Sequence, residues 1–210
     1  MNPAAAWDRV EEGWKVAFLQ SWKAFSRSSF PVGSALVGGD GVVLASGRNR
    51  VFDPAEEGLS GSLLAHAEID SLSRLSADER HDDVTLFTTL EPCVYCMGAV
   101  VVSRVGTVRY AGVDLYGGAA GLPLDLNQQT ARYPLRVEGP LAGPYGTWAA
   151  VLPLVFLLGA DRWRRVVDHV GRADPRLLDT AGRVGELASL LDPKSTSLAA
   201  ALEEAWPILQ

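Results

Sequence analysis

The chain has 210 residues, enough for one domain with a generous core or one domain with an appendage. At 48% hydrophobic and 21% charged it falls in the range of soluble globular proteins rather than disordered or fibrous ones. A formal net charge of −6 argues against a broad nucleic-acid surface, which needs clustered Lys and Arg, although it leaves room for a small local basic patch.

Trp7, Val10, Trp14, Phe18, Trp22 and Phe25 recur at spacings of three and four, which predicts a helix from about Trp7 to Ser26. "SALVGG" and "VVLASGRN" read as two strands around a Gly-Gly-Asp-Gly turn. A loop rich in Gly, Ser and acids follows, then a helix over about Leu63–Leu75. "DVTLFTTL" is a third strand, ended by Pro92, and a helix is expected over about Val94–Ser103. "GTVRYAGV" is a fourth strand and "PLRVEG" holds a short fifth, reached through the glycine-rich "DLYGGAAGLPLDLNQ". The most apolar stretch, Trp148–Ala160, is too short to span a bilayer and contains Pro153, so it reads as a buried helix.

Strands alternating with helices from the third strand onward predict an α/β fold: a three-layer α/β/α sandwich on a five-stranded mixed sheet. The first two strands form its hairpin and the later ones run parallel. Residues 1–159 are expected to form this unit. Residues 160–210 have no strand signal and read as two or three short helices punctuated by Pro175 and Pro193. This helical extension is expected to pack on the same domain, to cover the site as a lid, or to form a dimer interface. The N-terminus lacks a basic region followed by an apolar run, so a signal peptide is not expected and a cytoplasmic location is.

Chemistry concentrates in two short segments. Cys93 and Cys96 in "EPCVYCMG" are the chain's two cysteines, and a C-x-x-C pair alone fits a redox dithiol, half a zinc site or two buried thiols. His66 and Glu68 in "LLAHAEIDSL" open a helix that faces a core. His66, Cys93 and Cys96 make a three-ligand set of the kind catalytic zinc keeps, with the fourth position left for water. Each ligand stands at or near a helix start, where free N–H groups and the helix dipole favour a thiolate. Glu68 leaves the same first turn at a different angle, from which it can face that water without binding zinc and act as the proton carrier. His-Ala-Glu followed by Pro-Cys-x-x-Cys is the zinc-deaminase signature. His81 and His169 lie in polar segments and are expected at the surface.

On "FPVGSALV", Asn49 in "GRNR", "AHAEIDSL" and "TLEPCVYCMGAVVVSRVGTVRYAGVD", the sequence resembles the cytidine deaminase-like superfamily. It is closest to the branch of tRNA adenosine deaminases and guanine deaminases. The resemblance implies that Asn49 hydrogen-bonds the base, that the Ala67 N–H reads a ring acceptor, and that carbonyls near Leu90 and Glu91 receive the departing amine. It points to Phe30 as a pocket wall or a core residue, and to Asp114 as a substrate contact or a turn residue. It also implies Zn2+ as cofactor and a homodimer. The acidic balance, Arg50-Val51 after the Asn, the rebuilt loop before "AHAE" and the helical tail all move the expected substrate from tRNA to a small molecule. The expected reaction is therefore hydrolytic deamination of a free nucleobase, nucleoside or related aminated heterocycle such as guanine or cytosine. Deamination of tRNA adenosine is the rival, and a non-catalytic, zinc-stapled partner-binding relative is a third possibility.

Overall fold

The computed structural model describes residues 3–55, 58–123, 128–132, 135–160 and 163–210. Strands β1 (Gly33–Val37) and β2 (Val43–Arg48) pair as an antiparallel hairpin whose turn uses Gly41 at φ 82°. β3 (Thr85–Leu90) lies antiparallel along the other side of β1. β4 (Thr107–Gly112) and β5 (Arg136–Glu138) then add in parallel, giving the order β2-β1-β3-β4-β5. Pro134, part of the expected fifth-strand segment, lies outside the described residues, as do residues 124–127 of the preceding loop.

The alternation along each strand assigns the two faces. Ala35, Phe87 and Ala111 face one core, and Leu36, Leu86 and Val108 face the other. The second face carries α3 (Ala67–Leu72) and α4 (Val94–Ser103), which bring Leu72 and Val100 to Leu36 and Leu86. The first face carries α2 (Glu12–Ser26) and α6 (Pro144–Gly159), through Trp14, Phe18, Trp22, Trp148 and Leu152. These layers are the expected α/β/α sandwich.

The first helix differs from its prediction. It is split into α1 (Pro3–Trp7) and α2, with a turn between. Trp7 and Phe18 have ring centroids 6.3 Å apart. In one continuous helix, eleven residues of rise would separate them by about 16 Å along the axis. Breaking the helix lets Trp7 fold back on Phe18 and Tyr145. The helix expected over Leu63–Leu75 is shorter too. Leu63 and Leu64, which supplied its apolar period, are 70% and 48% exposed and stand before its start.

After α6 come α7 (Arg164–Ala173), α8 (Pro175–Gly185), α9 (Ala188–Leu191) and α10 (Leu198–Leu209); a short α5 (Gln128–Ala131) precedes β5. Asp174 caps α8 by accepting from the N–H groups of Arg176 and Leu177, with Pro175 in the first turn. Val170, Ala181, Val184, Leu202 and Trp206 share the core of Trp148 and Leu152, so this tail continues the α2/α6 layer. The Trp22 indole N–H donates to the Thr196 carbonyl at 2.9 Å and ties the tail to α2. Leu191 remains 74% exposed. His81, expected at the surface, is buried at 7% exposure because its ring bonds the Ser76 carbonyl. His169 is exposed as expected. No helix among the described residues is long and apolar enough to cross a membrane.

Candidate active site

His66 and Cys93 are the N-cap residues of α3 and α4, both in extended conformation. Each helix therefore begins at an extended residue, and its first free N–H groups point where the cap side chain emerges. α3 is seated closely on β2 because residue 47 is glycine: a Cβ there would stand 2.2 Å from the Ala67 carbonyl oxygen. Ser34 on β1 holds the same carbonyl from below, donating its hydroxyl at 2.7 Å. Cys96 lies one turn into α4 and is buried.

The three candidate ligands converge, with all their donor atoms within 4.8 Å of one another. The Cys93 and Cys96 sulfurs are 3.7 Å apart, and His66 Nδ1 is 3.6 Å from Cys93 Sγ and 3.3 Å from Cys96 Sγ. Zinc bound tetrahedrally at about 2.3 Å from sulfur and 2.0–2.1 Å from nitrogen needs edges of about 3.8 and 3.6 Å. The triangle fits that ion with a fourth corner to spare.

The electrostatics agree with a thiolate-bearing site. The hydrogen bond shared with Cys96 and, further, that with His66 bring the Cys93 thiol down to about 4 despite burial. Cys96, beside that thiolate and also buried, is pushed far up. A cation between them would take the place of the shared proton. His66 is raised, chiefly by its hydrogen bond with Cys93 and further by the Glu68 charge, against the effect of burial.

Glu68 is 3% exposed. Burial pushes its carboxyl above the ordinary value, although its own backbone N–H, His66, Thr88 and Cys96 favour the ionised form. Oε1 accepts from the Thr88 hydroxyl at 2.8 Å, and Oε2 lies 3.3 Å from Cys96 Sγ. One oxygen is thus held by β3 and the other faces the ligand cluster.

Around this cluster opens a cavity of about 300 Å³. His66, Glu68, Cys93, Asn49, Phe30, Leu90, Glu91 and Asp114 line it, so eight of the ten expected site residues meet there. Cys96 stands behind the wall, and Ala67 is fully buried and absent from the lining. Asn49 is held by its Oδ1, which accepts from the Ser29 hydroxyl and the Val51 N–H, so its amide donors are the end left to offer. Phe30 does both suggested jobs: it lines the cavity and packs edge-on against Phe156 at 5.8 Å. Asp114 serves the turn, its Oδ1 accepting from the N–H groups of Tyr116 and Gly117, and it also lines the cavity.

Two features escaped the sequence. The Glu91 side chain clamps the loop after β4, its two oxygens accepting from the N–H groups of Asp114 and Ala120. Gly118 makes this possible, since a Cβ there would meet the Glu91 carboxyl at 2.5 Å. The second feature is the far wall, where Trp163, Val166 and Val170 join Leu177 of α8. The tail was expected to be helical, and a lid over the site was one of its three expected roles, but which of its residues would face the cavity was not legible.

Comparison with known proteins agrees with this site. Residues 8–112 match the model of the cytidine and deoxycytidylate deaminase zinc-binding region. A tRNA-specific adenosine deaminase of Streptococcus pyogenes is 30% identical over 158 residues, covering 73% of this chain and 86% of that protein. The Bacillus subtilis enzyme of the same name is 36% identical over 118 residues, 55% of this chain and 69% of the other. Among solved structures, a wobble-position A-to-I tRNA deaminase is 28% identical with a TM-score of 0.55, matched over 65% of this chain and 97% of its own. A guanine deaminase from Nitrosomonas europaea shares the fold at 22% identity and a TM-score of 0.53, over 70% of this chain and 83% of its own. The chain belongs to the cytidine and deoxycytidylate deaminase zinc-binding family, within the cytidine deaminase-like superfamily. It is a zinc-dependent hydrolytic deaminase.

Proposed function

We propose that the enzyme deaminates a small aminated heterocycle, a free base or related compound, that enters the cavity whole. The observation that carries this is the lining: among the described residues it contains no Lys or Arg and three carboxylates, Glu68, Glu91 and Asp114. A polyanionic substrate would find no phosphate partner there. His66, Cys93 and Cys96 would hold the zinc, which when bound lowers the pKa of a water so that it can attack the amine-bearing carbon. Glu68 takes a proton from that water and delivers it to the ring nitrogen, then takes the second proton from the hydroxyl added at the ring carbon and delivers it to the amine, which leaves as ammonia. Thr88 holds the Glu68 carboxylate in line for both transfers. Asn49 donates to the ring, and the carbonyls at Leu90 and Glu91 accept from the departing ammonia.

A second reading, deamination of adenosine in tRNA, is favoured by the named relatives, which support it better than they support a free base. One experiment separates the two. Zinc-loaded enzyme is assayed for ammonia release from guanine, cytosine, adenine and their nucleosides, and for inosine formation in a tRNA anticodon arm. Ammonia from a small ring with no inosine supports the first reading; inosine with no small-molecule turnover replaces it by the second. We also infer that the tail, residues 160–210, serves the catalytic unit, residues 1–159, as a wall rather than as a separate module. A homodimer is proposed to cover Val94 and Val102 of α4, each 68% exposed, which sedimentation velocity would test.

A further inference from the structure

The cavity has two chemically distinct sides. Its polar lining residues come from the loops and helix starts around the sheet: Asn49, His66, Glu68, Glu91, Cys93 and Asp114. Those that α6, α7 and α8 contribute are apolar without exception among the described residues, including Leu154, Leu157, Val166, Val170 and Leu177. A ring whose amine-bearing carbon lies at the Glu68 side turns its opposite edge to these helices. A sugar on that edge would bring hydroxyls to a wall with nothing to bond them, and would lose their water. An alkyl or aryl group would lose only unfavourable hydration.

The wall is held in place and finished at its mouth. His169 Nε2 of α7 bonds the Leu115 carbonyl at 3.1 Å, and the His169 ring meets Tyr116 edge-on at 5.6 Å, so α7 is fastened to the loop that carries Asp114. Trp163 caps α7 in the left-handed region, φ 61° and ψ 39°, a conformation that a bulky side chain rarely adopts. Its carbonyl accepts from the Val166 N–H at 2.8 Å, which starts the helix, while its indole stays 53% exposed on the cavity rim. Tyr116 and Leu63 share that rim at 53% and 70% exposure. Exposed apolar groups gathered on one rim mark a surface that meets a partner, here the outer end of the substrate.

We propose that the substrate is an aminated heterocycle bearing an apolar substituent, bound by the α7–α8 wall with Trp163 over its outer end. This rests on the small-heterocycle reading above. The test compares ammonia release from two matched trios: cytosine, 1-butylcytosine and cytidine, and guanine, 9-butylguanine and guanosine. Each methylene buried against the wall is worth roughly fourfold, so in at least one trio the butyl compound should exceed both its parent and its nucleoside at least tenfold in kcat/KM. Trp163→Ala and Leu177→Gln should each lower the butyl-to-parent ratio at least fivefold. Leu191→Gln, at an exposed position that ends α9 and does not line the cavity, should leave that ratio unchanged. Calorimetry with the Glu68→Gln variant, which reads binding without turnover, should give the same order of ligands. If the parent bases turn over but a nucleoside is preferred, or the ratio is near one or unmoved in either wall variant, this inference fails and the small-heterocycle reading stands. If none of the six compounds releases ammonia, this inference falls, and the small-heterocycle reading falls with it only when adenine and adenosine are also inert.

Discussion

Replacing Thr88 by Val isolates the step at which Glu68 is aimed. The two side chains are nearly the same shape, and Thr88 is fully buried on β3, so the change is in hydrogen bonding rather than in volume. What is lost is the 2.8 Å hydrogen bond to Glu68 Oε1, together with the longer 3.2 Å contact of the same hydroxyl to the Leu90 carbonyl. A hydrogen bond to a charged group contributes about 1.5–3 kcal/mol. If the carboxylate needs that bond to stay in line through both proton transfers, most of this appears in the barrier, a loss of roughly ten- to hundredfold in kcat. The substrate does not touch Thr88, so KM should move less than threefold, and a Thr88→Ser variant, which keeps the hydroxyl, should recover most of the rate. The assay is steady-state ammonia release with zinc content and Tm measured on the same samples. A Thr88→Val enzyme with normal zinc, normal fold and wild-type kcat would refute the positioning argument.

Other outcomes follow from neighbouring features. Asp53 is bonded through both carboxylate oxygens to Arg48, with Arg50 close by; burial acts to raise its carboxyl, but these cations outweigh it and hold it below the ordinary value. Its folded pKa being depressed, its stabilisation is present above the unfolded carboxylate value and is lost as pH falls through the folded one. Asp53→Asn should therefore cost about 3 kcal/mol near neutrality, leaving Arg48 buried without its counter-charge, and the two stability curves should converge in acid; parallel curves from pH 7 to 2 would contradict it. Gly47→Ala drives a Cβ into the Ala67 carbonyl, displaces α3 and should lower bound zinc per chain well below that of wild type, measured by metal analysis of the folded fraction. Leu152→Ala, in the core shared by α6 and the tail, should cost about 2–5 kcal/mol in denaturant unfolding.

The sheet was legible because its strands alternate. Ala35/Leu36, Leu86/Phe87 and Val108 with Ala111 split cleanly between two cores, and Pro92 marks where β3 must stop. The ligand set was legible because zinc chemistry restricts residue types and spacing, and both halves followed strand-to-helix punctuation. Failures came where tertiary contact overrode local period. Leu63 and Leu64 extend the helical pattern of α3, yet they lie in a turn, with Leu63 on the cavity lining, and the helix begins only after His66 has capped it. The break after Trp7 has no Pro or Gly to announce it; it goes with the tilted packing of Trp7 on Phe18 and Tyr145. The Glu91 clamp and the α7–α8 wall depend on which surfaces dock, and a single sequence carries no signal for that.

The account stands most directly on Glu68. Wild-type enzyme and a Glu68→Gln variant should be prepared with zinc, and ammonia release compared on the best small substrate from the screen. Both proteins should bind about one zinc per chain, because the carboxylate faces the ligand triangle without belonging to it. The variant should lose roughly 10²–10⁴-fold in kcat, the share that a placed general acid–base contributes. Equal ammonia release from the two zinc-loaded proteins would contradict the proposed chemistry.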